Sequence, residues 1–243
     1  MTYLIILSII TLAAIIHATF QLSVSNLTLM SGHALGRKTS RKRLTNMVGG
    51  FILGVFVMTT LLILSIGYVT HAFLLQNGEV QPALWAINSG VLVGLGVAAW
   101  LFYYRREKQS TSLWLPMSLS DYLNNRSKKT TSGAEAFGLG LTSVLAEILF
   151  IIGPVLTVAL VLGSQVPLEA SLSLVFLYTV ISILPLTIIA IAVLRGVRLS
   201  RVQKWREDNK NFLQFIAGAG LIILGFYLYV HEVILLAIKG APY

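Results

Sequence analysis

The chain has no cysteine, which excludes a thiol relay, an iron–sulfur centre or a thiolate metal site built from its own residues. Charge is also scarce. Asp, Glu, Lys and Arg make up 11% of the residues, where a soluble domain carries about 25%. Much of the surface is therefore expected to face something other than water. No G-x-S-x-G, Walker A, H-E-x-x-H or paired-carboxylate pattern occurs, so neither an enzymatic activity nor a cofactor is expected.

In place of charge there are long apolar runs. Residues 1–36, 44–78, 80–104 and 211–231 carry no Lys, Arg, Asp or Glu, and 136–194 hold only Glu147 and Glu169. About 20 apolar residues cross a bilayer. The runs predict an all-α polytopic membrane protein with six transmembrane helices, near 3–29, 46–74, 83–104, 136–162, 168–194 and 211–236. The first run has no positive n-region or small-residue cleavage site, so it reads as a span and not as a signal peptide.

The basic residues orient these spans. Arg37, Lys38, Arg41, Lys42 and Arg43 follow helix 1; Arg105, Arg106, Lys108, Arg126, Lys128 and Lys129 follow helix 3; Arg195, Arg198, Arg201, Lys204, Arg206 and Lys210 follow helix 5. Of 18 basic residues only Lys239 lies elsewhere. The positive-inside rule makes those three loops cytoplasmic and puts both termini outside, as expected for a bacterial cytoplasmic (inner) membrane. The net charge of +9 is then topology and contact with anionic lipid; the basic residues lack the interleaved aromatics of a nucleic-acid surface. The partners expected are the bilayer, a small-molecule or ion substrate and further copies of the chain, with no nucleic acid.

Three helices separate the start of helix 1 from the start of helix 4, an odd number, so any repeat of that unit is inverted in the membrane. "FQLSVSN" at 20–26 resembles "FGLGLTS" at 137–143, and "NSGVLVGLGVAAWLFYY" resembles "IAGAGLIILGFYLYV". The expected organisation is a first repeat over 1–104, a cytoplasmic linker over 105–135 and a second repeat over 136–243. Within the linker, "SLWLPMSLSDYL" reads as an amphipathic segment on the membrane surface. Trp85, Tyr103, Tyr104, Tyr227 and Tyr229, near helix ends, read as an interfacial belt. Pro185 should kink helix 5.

Glu147 is the residue that asks for an explanation. It lies 12 residues past Glu135, roughly 18 Å along a helix and so near the bilayer midplane. An ionised carboxylate there costs several kcal/mol unless partnered, which marks such residues as functional by default. On a helix Ser143, Glu147, Pro154 and Thr157 share one face, and Pro154, after Gly153, withholds a hydrogen bond from the carbonyl of Phe150. Helix 1 is the expected partner. Thr19, Ser23 and Asn26 form one polar stripe, and His17, Gln21 and Thr28 another, which a lipid-facing helix would not carry. An unbroken helix over 1–36 would be roughly 54 Å long, too long for a hydrocarbon core of about 30 Å. A break is expected near Ser23–Asn26, and a second in helix 4 beside Gly153 and Pro154. His17 and Glu147 lie at similar depth, and such a pair could move a proton. His71 and His231, near helix ends, are expected to hydrogen-bond at the interface.

Six helices, outside termini and basic loops after helices 1, 3 and 5 resemble the LysE superfamily of exporters and its cytochrome c biogenesis (DsbD/CcdA-like) relatives. The stretch "LSVSNLTLMSGHALGRKTSRKRLTNMVGGFILG" resembles their helix 1–loop–helix 2 region. The chain departs from them in lacking the paired cysteines of the thiol-relay branch and the acidic pairs of the manganese and cadmium exporters. It also has Gly32-His33 where a Gly-Pro is usual, while keeping Gly153-Pro154. The resemblance implies small-solute transport, commonly export. The residues then suggest a secondary transporter with a site between broken helices 1 and 4. Its pathway would comprise Glu147, Ser143, Gly153, Pro154, Thr157, His17, Gln21, Ser23 and Asn26, with Glu147 coupling a proton. Two alternatives stand beside it: a nickel/cobalt-type cation transporter using His17, His33 and Glu147 with Asn26, and a membrane assembly factor that transports nothing.

Overall fold

A computed structural model describes residues 3–20, 22–36, 40–76, 79–102, 104–106, 111–113, 117–197 and 199–234. The helices are α1 (Tyr3–Thr19), α2 (Leu22–Gly36), α3 (Arg41–Val69), α4 (Pro82–Phe102), α5 (Met117–Lys129), α6 (Gly133–Gln165), α7 (Leu168–Ser182), α8 (Leu184–Leu194), α9 (Leu199–Asp208) and α10 (Lys210–Leu228). Single π-helical turns, Thr70–Leu74 and Tyr229–Ile234, extend α3 and α10. Two short antiparallel pairs, Leu75–Gln76 with Glu79–Val80 and Tyr104–Arg106 with Thr111–Leu113, are the strands among the described residues.

By length and composition four of these helices can cross a membrane, or up to six if each bent pair is one span. The architecture is that of a membrane protein. The four are α3, α4, α6 and α10; the bent pairs are α1 with α2, at 44°, and α7 with α8, at 50°. Among the four, α6 is the central one. Its apolar window is 72% buried inside the protein, against 33% to 39% for the other three.

Small residues decide which helices meet. Side chains added at Gly50, Gly54 and Gly140 would run into the backbone at Gly133, Phe137 and Phe51 respectively, so α3 and α6 touch main chain to main chain. The order of these contacts makes the two helices parallel. Without a hydrophobic force between helices in lipid, such close approach supplies the packing attraction. Antiparallel α4 and α10 meet the same way, with Gly96 against Gly218 and Gly225 against Ser89. At one end of this pair Trp100 stacks on Phe215 and donates from Nε1 to its carbonyl at 3.1 Å. α1 packs along α7, and α2 along α8.

The helix starts are set locally. Ser40 Oγ accepts from the Arg43 amide at 3.4 Å, and Ser132 Oγ from the Glu135 amide at 3.2 Å. Glu135 reaches back to the Thr131 amide at 2.7 Å, a capping box displaced by one residue. Arg43 Nε donates to the Thr131 carbonyl at 2.6 Å, which ties the starts of α3 and α6 together and brings the first two basic segments to one end.

Several expectations change. The break in helix 1 falls between Thr19 and Leu22, ahead of Ser23–Asn26, because those residues are used in the opening turns of α2. Thr19 Oγ1 takes the Ile16 carbonyl at 2.6 Å and the Phe20 amide the His17 carbonyl at 3.0 Å, which tightens and ends α1. Helix 4 is not broken: α6 runs through Pro154 as one helix, held on most sides by neighbours that can re-satisfy its backbone. The second break is in helix 5, where Pro185 opens α8. There Ser182 Oγ takes the Thr179 carbonyl at 2.9 Å and Thr187 Oγ1 the Ile183 carbonyl at 3.1 Å. Within the linker, α5 takes up the second half of the expected amphipathic segment and packs on α2 and α6, burying Leu123. Trp85 is fully buried and belongs to the core, whereas Tyr227 and Tyr229 are exposed as belt residues should be. Tyr103 lies outside the described residues.

Candidate functional site

The break in helix 1 leaves α2 starting inside the bundle. The first four amides of any helix lack intrahelical partners, and in an apolar interior each needs an acceptor. Glu147 of α6 supplies it. Its Oε1 accepts from the Ser23 amide at 3.0 Å, and its Oε2 from the Ser23 hydroxyl at 3.0 Å. The Leu22 amide faces the same carboxyl. An acid on one helix thus acts as the N-cap of another, where the positive end of the helix dipole also favours negative charge.

One turn earlier on α6, Ser143 Oγ accepts from Asn26 Nδ2 at 2.8 Å and donates to the Leu139 carbonyl at 2.7 Å. Phe20, at the break, stacks on Phe150 with ring centroids 5.7 Å apart. From outside the pair, Arg206 of α9 donates from Nη2 to Ser25 Oγ at 2.8 Å and lies close enough for its charge to act on Glu147. Ser143, Glu147, Ser23 and Asn26 are all buried. The face of α6 expected to carry the acid does carry it, and it meets the polar stretch of helix 1.

Other expected residues lie elsewhere. Thr157 accepts from Asn88 Nδ2 at 2.8 Å and donates to the Gly153 carbonyl at 2.9 Å. This second polar contact sits ten residues beyond Glu147 on α6, roughly 15 Å along the axis. Gly153 gives room to Leu92 of α4. Pro154 is accommodated within α6 and makes no site of its own. His17 does not pair with Glu147: its Nδ1 shares a hydrogen bond with the Tyr178 hydroxyl at 2.9 Å, across the α1–α7 contact. His33 is exposed near the far end of α2, so His17, His33 and Glu147 do not converge. Among the described residues no three His, Asp or Glu side chains are grouped to hold a metal ion. Gln21 lies outside the described residues. His71 and His231 bond near helix ends as expected, to the Gly163 carbonyl at 3.3 Å and to Glu232 at 2.6 Å.

Sequence reasoning missed four residues. Tyr178 and Asn88 are isolated polar groups in apolar spans, a signal that was legible. Arg206 was hidden among basic residues whose placement topology already explains. Glu232 is a second buried acid, bonded to the His next to it. The chain matches no family model, no curated protein and no solved structure.

The chemistry open to the site follows from the cap. A carboxylate accepts two hydrogen bonds at once, whereas a protonated carboxyl has one oxygen that donates. A protonated Glu147 would keep one acceptor oxygen for the first turn of α2 and would turn the other into a donor.

Proposed function

We propose that the chain is a secondary transporter, an exporter of a small solute across the cytoplasmic membrane of a bacterium. The observation that carries the reading is the trans cap, in which the one acid on the buried face of α6 holds the N-terminus of a broken helix. Broken helices whose half-helix ends face a polar site in the bilayer are the recurring device of secondary transporters. A purely structural bundle has no need to interrupt a span and then cap the interruption with an acid.

The packing supports two inverted halves, 1–104 and 136–243, and the basic loops argue for both termini outside. Exchanging the halves turns the α3–α6 contact into the α1–α7 contact, turns α4–α6 into α10–α1, and maps α4–α10 onto itself; all of these contacts occur. Asn26 and Ser143, the last residues of the two similar heptads, bond to each other, as equivalents beside a two-fold axis can. The resemblance to the LysE superfamily supports the same reading. Glu147 is the coupling residue, releasing α2 on protonation, and Ser23, Asn26 and Ser143 line the site with it.

The test is vesicle transport. Purified protein in liposomes, with an imposed pH gradient, is offered a panel of amino acids, organic acids and mono- and divalent cations. Movement of one class above empty liposomes is expected. A panel in which nothing moves in either direction sinks the reading.

A further inference from the structure

Between the second break and the last span lies α9, whose basic residues topology alone would leave at the membrane surface. Its side chains divide unevenly. From 200 to 208 all are exposed except Val202 and Arg206, four residues apart and half-buried. On a helix that spacing makes one stripe, so α9 turns a single face to the protein. Arg206 is the basic residue on that face, while Arg201 and Lys204 point away.

Its contact lies unexpectedly far in. Ser25 is 11 residues before Gly36, the loop end of α2, roughly 16 Å of helix at 1.5 Å per residue. A guanidinium that bonds Ser25 Oγ at 2.8 Å reaches past the loop to the first turn of α2, the same turn that Glu147 holds through Ser23. The chain is bent for this approach: Gly196, between α8 and α9, has φ of +84°, a left-handed conformation that glycine adopts without steric cost. The turn at Asn209 then separates α9 from α10. α9 is thus a short strap with a turn at each end, tied to the site through the Arg206–Ser25 hydrogen bond.

We propose that α9 closes the Glu147–Ser23 site on the side of the basic loops, and that the Arg206–Ser25 hydrogen bond is its latch. With the latch made, a positive charge stands between the basic loops and the carboxyl. Breaking it lets the strap turn about Gly196 and Asn209 and opens the α2 N-terminus to solution. The use of such a strap rests on the transport reading; its existence does not.

The test therefore reads access and needs no substrate. The chain has no cysteine of its own, so Ser23→Cys gives a single reporter beside Glu147. Its rate of modification by a membrane-impermeant, trimethylammonium-bearing thiol reagent is measured in right-side-out and inverted vesicles. Arg206→Ala and Ser25→Ala are each compared with the latched parent. Each should speed labelling about fivefold from the basic-loop face alone, the equivalent of one lost hydrogen bond of about 1 kcal/mol. Arg201→Ala, on the exposed face, should leave the rate unchanged. A second reporter at Phe20→Cys repeats the comparison, so that a defect peculiar to position 23 does not decide it. Unchanged rates in both latch variants overturn the strap, as does equal acceleration from both faces, which is general loosening. Faster labelling in a protein that transports nothing would leave the strap standing and remove only the transport reading.

Discussion

The Glu147 carboxyl accepts from both the amide and the hydroxyl of Ser23, at 3.0 Å each, so an acid from α6 completes the first turn of α2. That relationship explains why so apolar a stretch as 142–154 carries a carboxylate. The acid is matched to a helix end that would otherwise leave donors unsatisfied in the bundle interior, and the helix end to an acid that hydrocarbon would not solvate. Neither group is stable there without the other.

Removing the acceptor should therefore cost stability in proportion to the donors it strands. Glu147→Leu leaves both Ser23 donors without a partner and is expected to destabilise the protein by about 1–3 kcal/mol. Glu147→Gln keeps one carbonyl acceptor and should lose about half as much or less. Thermal unfolding of the purified variants in one detergent gives the order parent, Gln, Leu. A Leu variant as stable as the parent would mean the cap contributes nothing.

The α3–α6 contact makes a sharper prediction. A side chain at Gly54 would enter the backbone of Phe137, whereas one at Gly49 meets nothing within 4 Å. Gly54→Leu should yield little monodisperse protein, since the obstruction is main chain and overpacking even a yielding core costs typically about 1–3 kcal/mol. Gly49→Leu should purify as the parent does. Size-exclusion profiles distinguish them, and equal yields would contradict the close approach.

Orientation is tested with single cysteines. Labels at Lys42, Lys128 and Lys204 should be reached from the cytoplasm, and labels at Gly78 and Gln165 from outside. Lys42 and Gly78 on the same face would rule out a crossing by α3, and with it the inverted halves.

Much of this arrangement was legible in the sequence, for identifiable reasons. Polar residues in an uncharged run announce burial, which is why Glu147, Ser143, Ser23 and Asn26 could be grouped before any contact was seen. The breaks were harder. Proline pointed to helix 4 and helix 5 alike, and only helix 5 bends: Pro154 lies within α6, whose neighbours hold it as one helix, while Pro185 follows Ser182 where the span turns by 50°. Residue counting puts His17 and Glu147 at a similar depth, yet depth does not fix azimuth: His17 faces α7 and finds Tyr178. Trp85 shows the same limit, since a place near a helix end does not say whether lipid or protein lies beside it.

The most direct test of the central claim, that Glu147 couples a proton to release of α2, is pH-driven transport by Glu147→Gln. Gln preserves size and one acceptor but cannot titrate. The solute identified by the vesicle panel is followed in proteoliposomes of parent and variant, with and without an imposed pH gradient, beside an unfolding scan showing the variant folded. The account predicts that the gradient drives the parent and has no effect on the variant. A Gln variant that still transports with the parent's dependence on the gradient would contradict it, and would leave Glu147 as a structural cap alone.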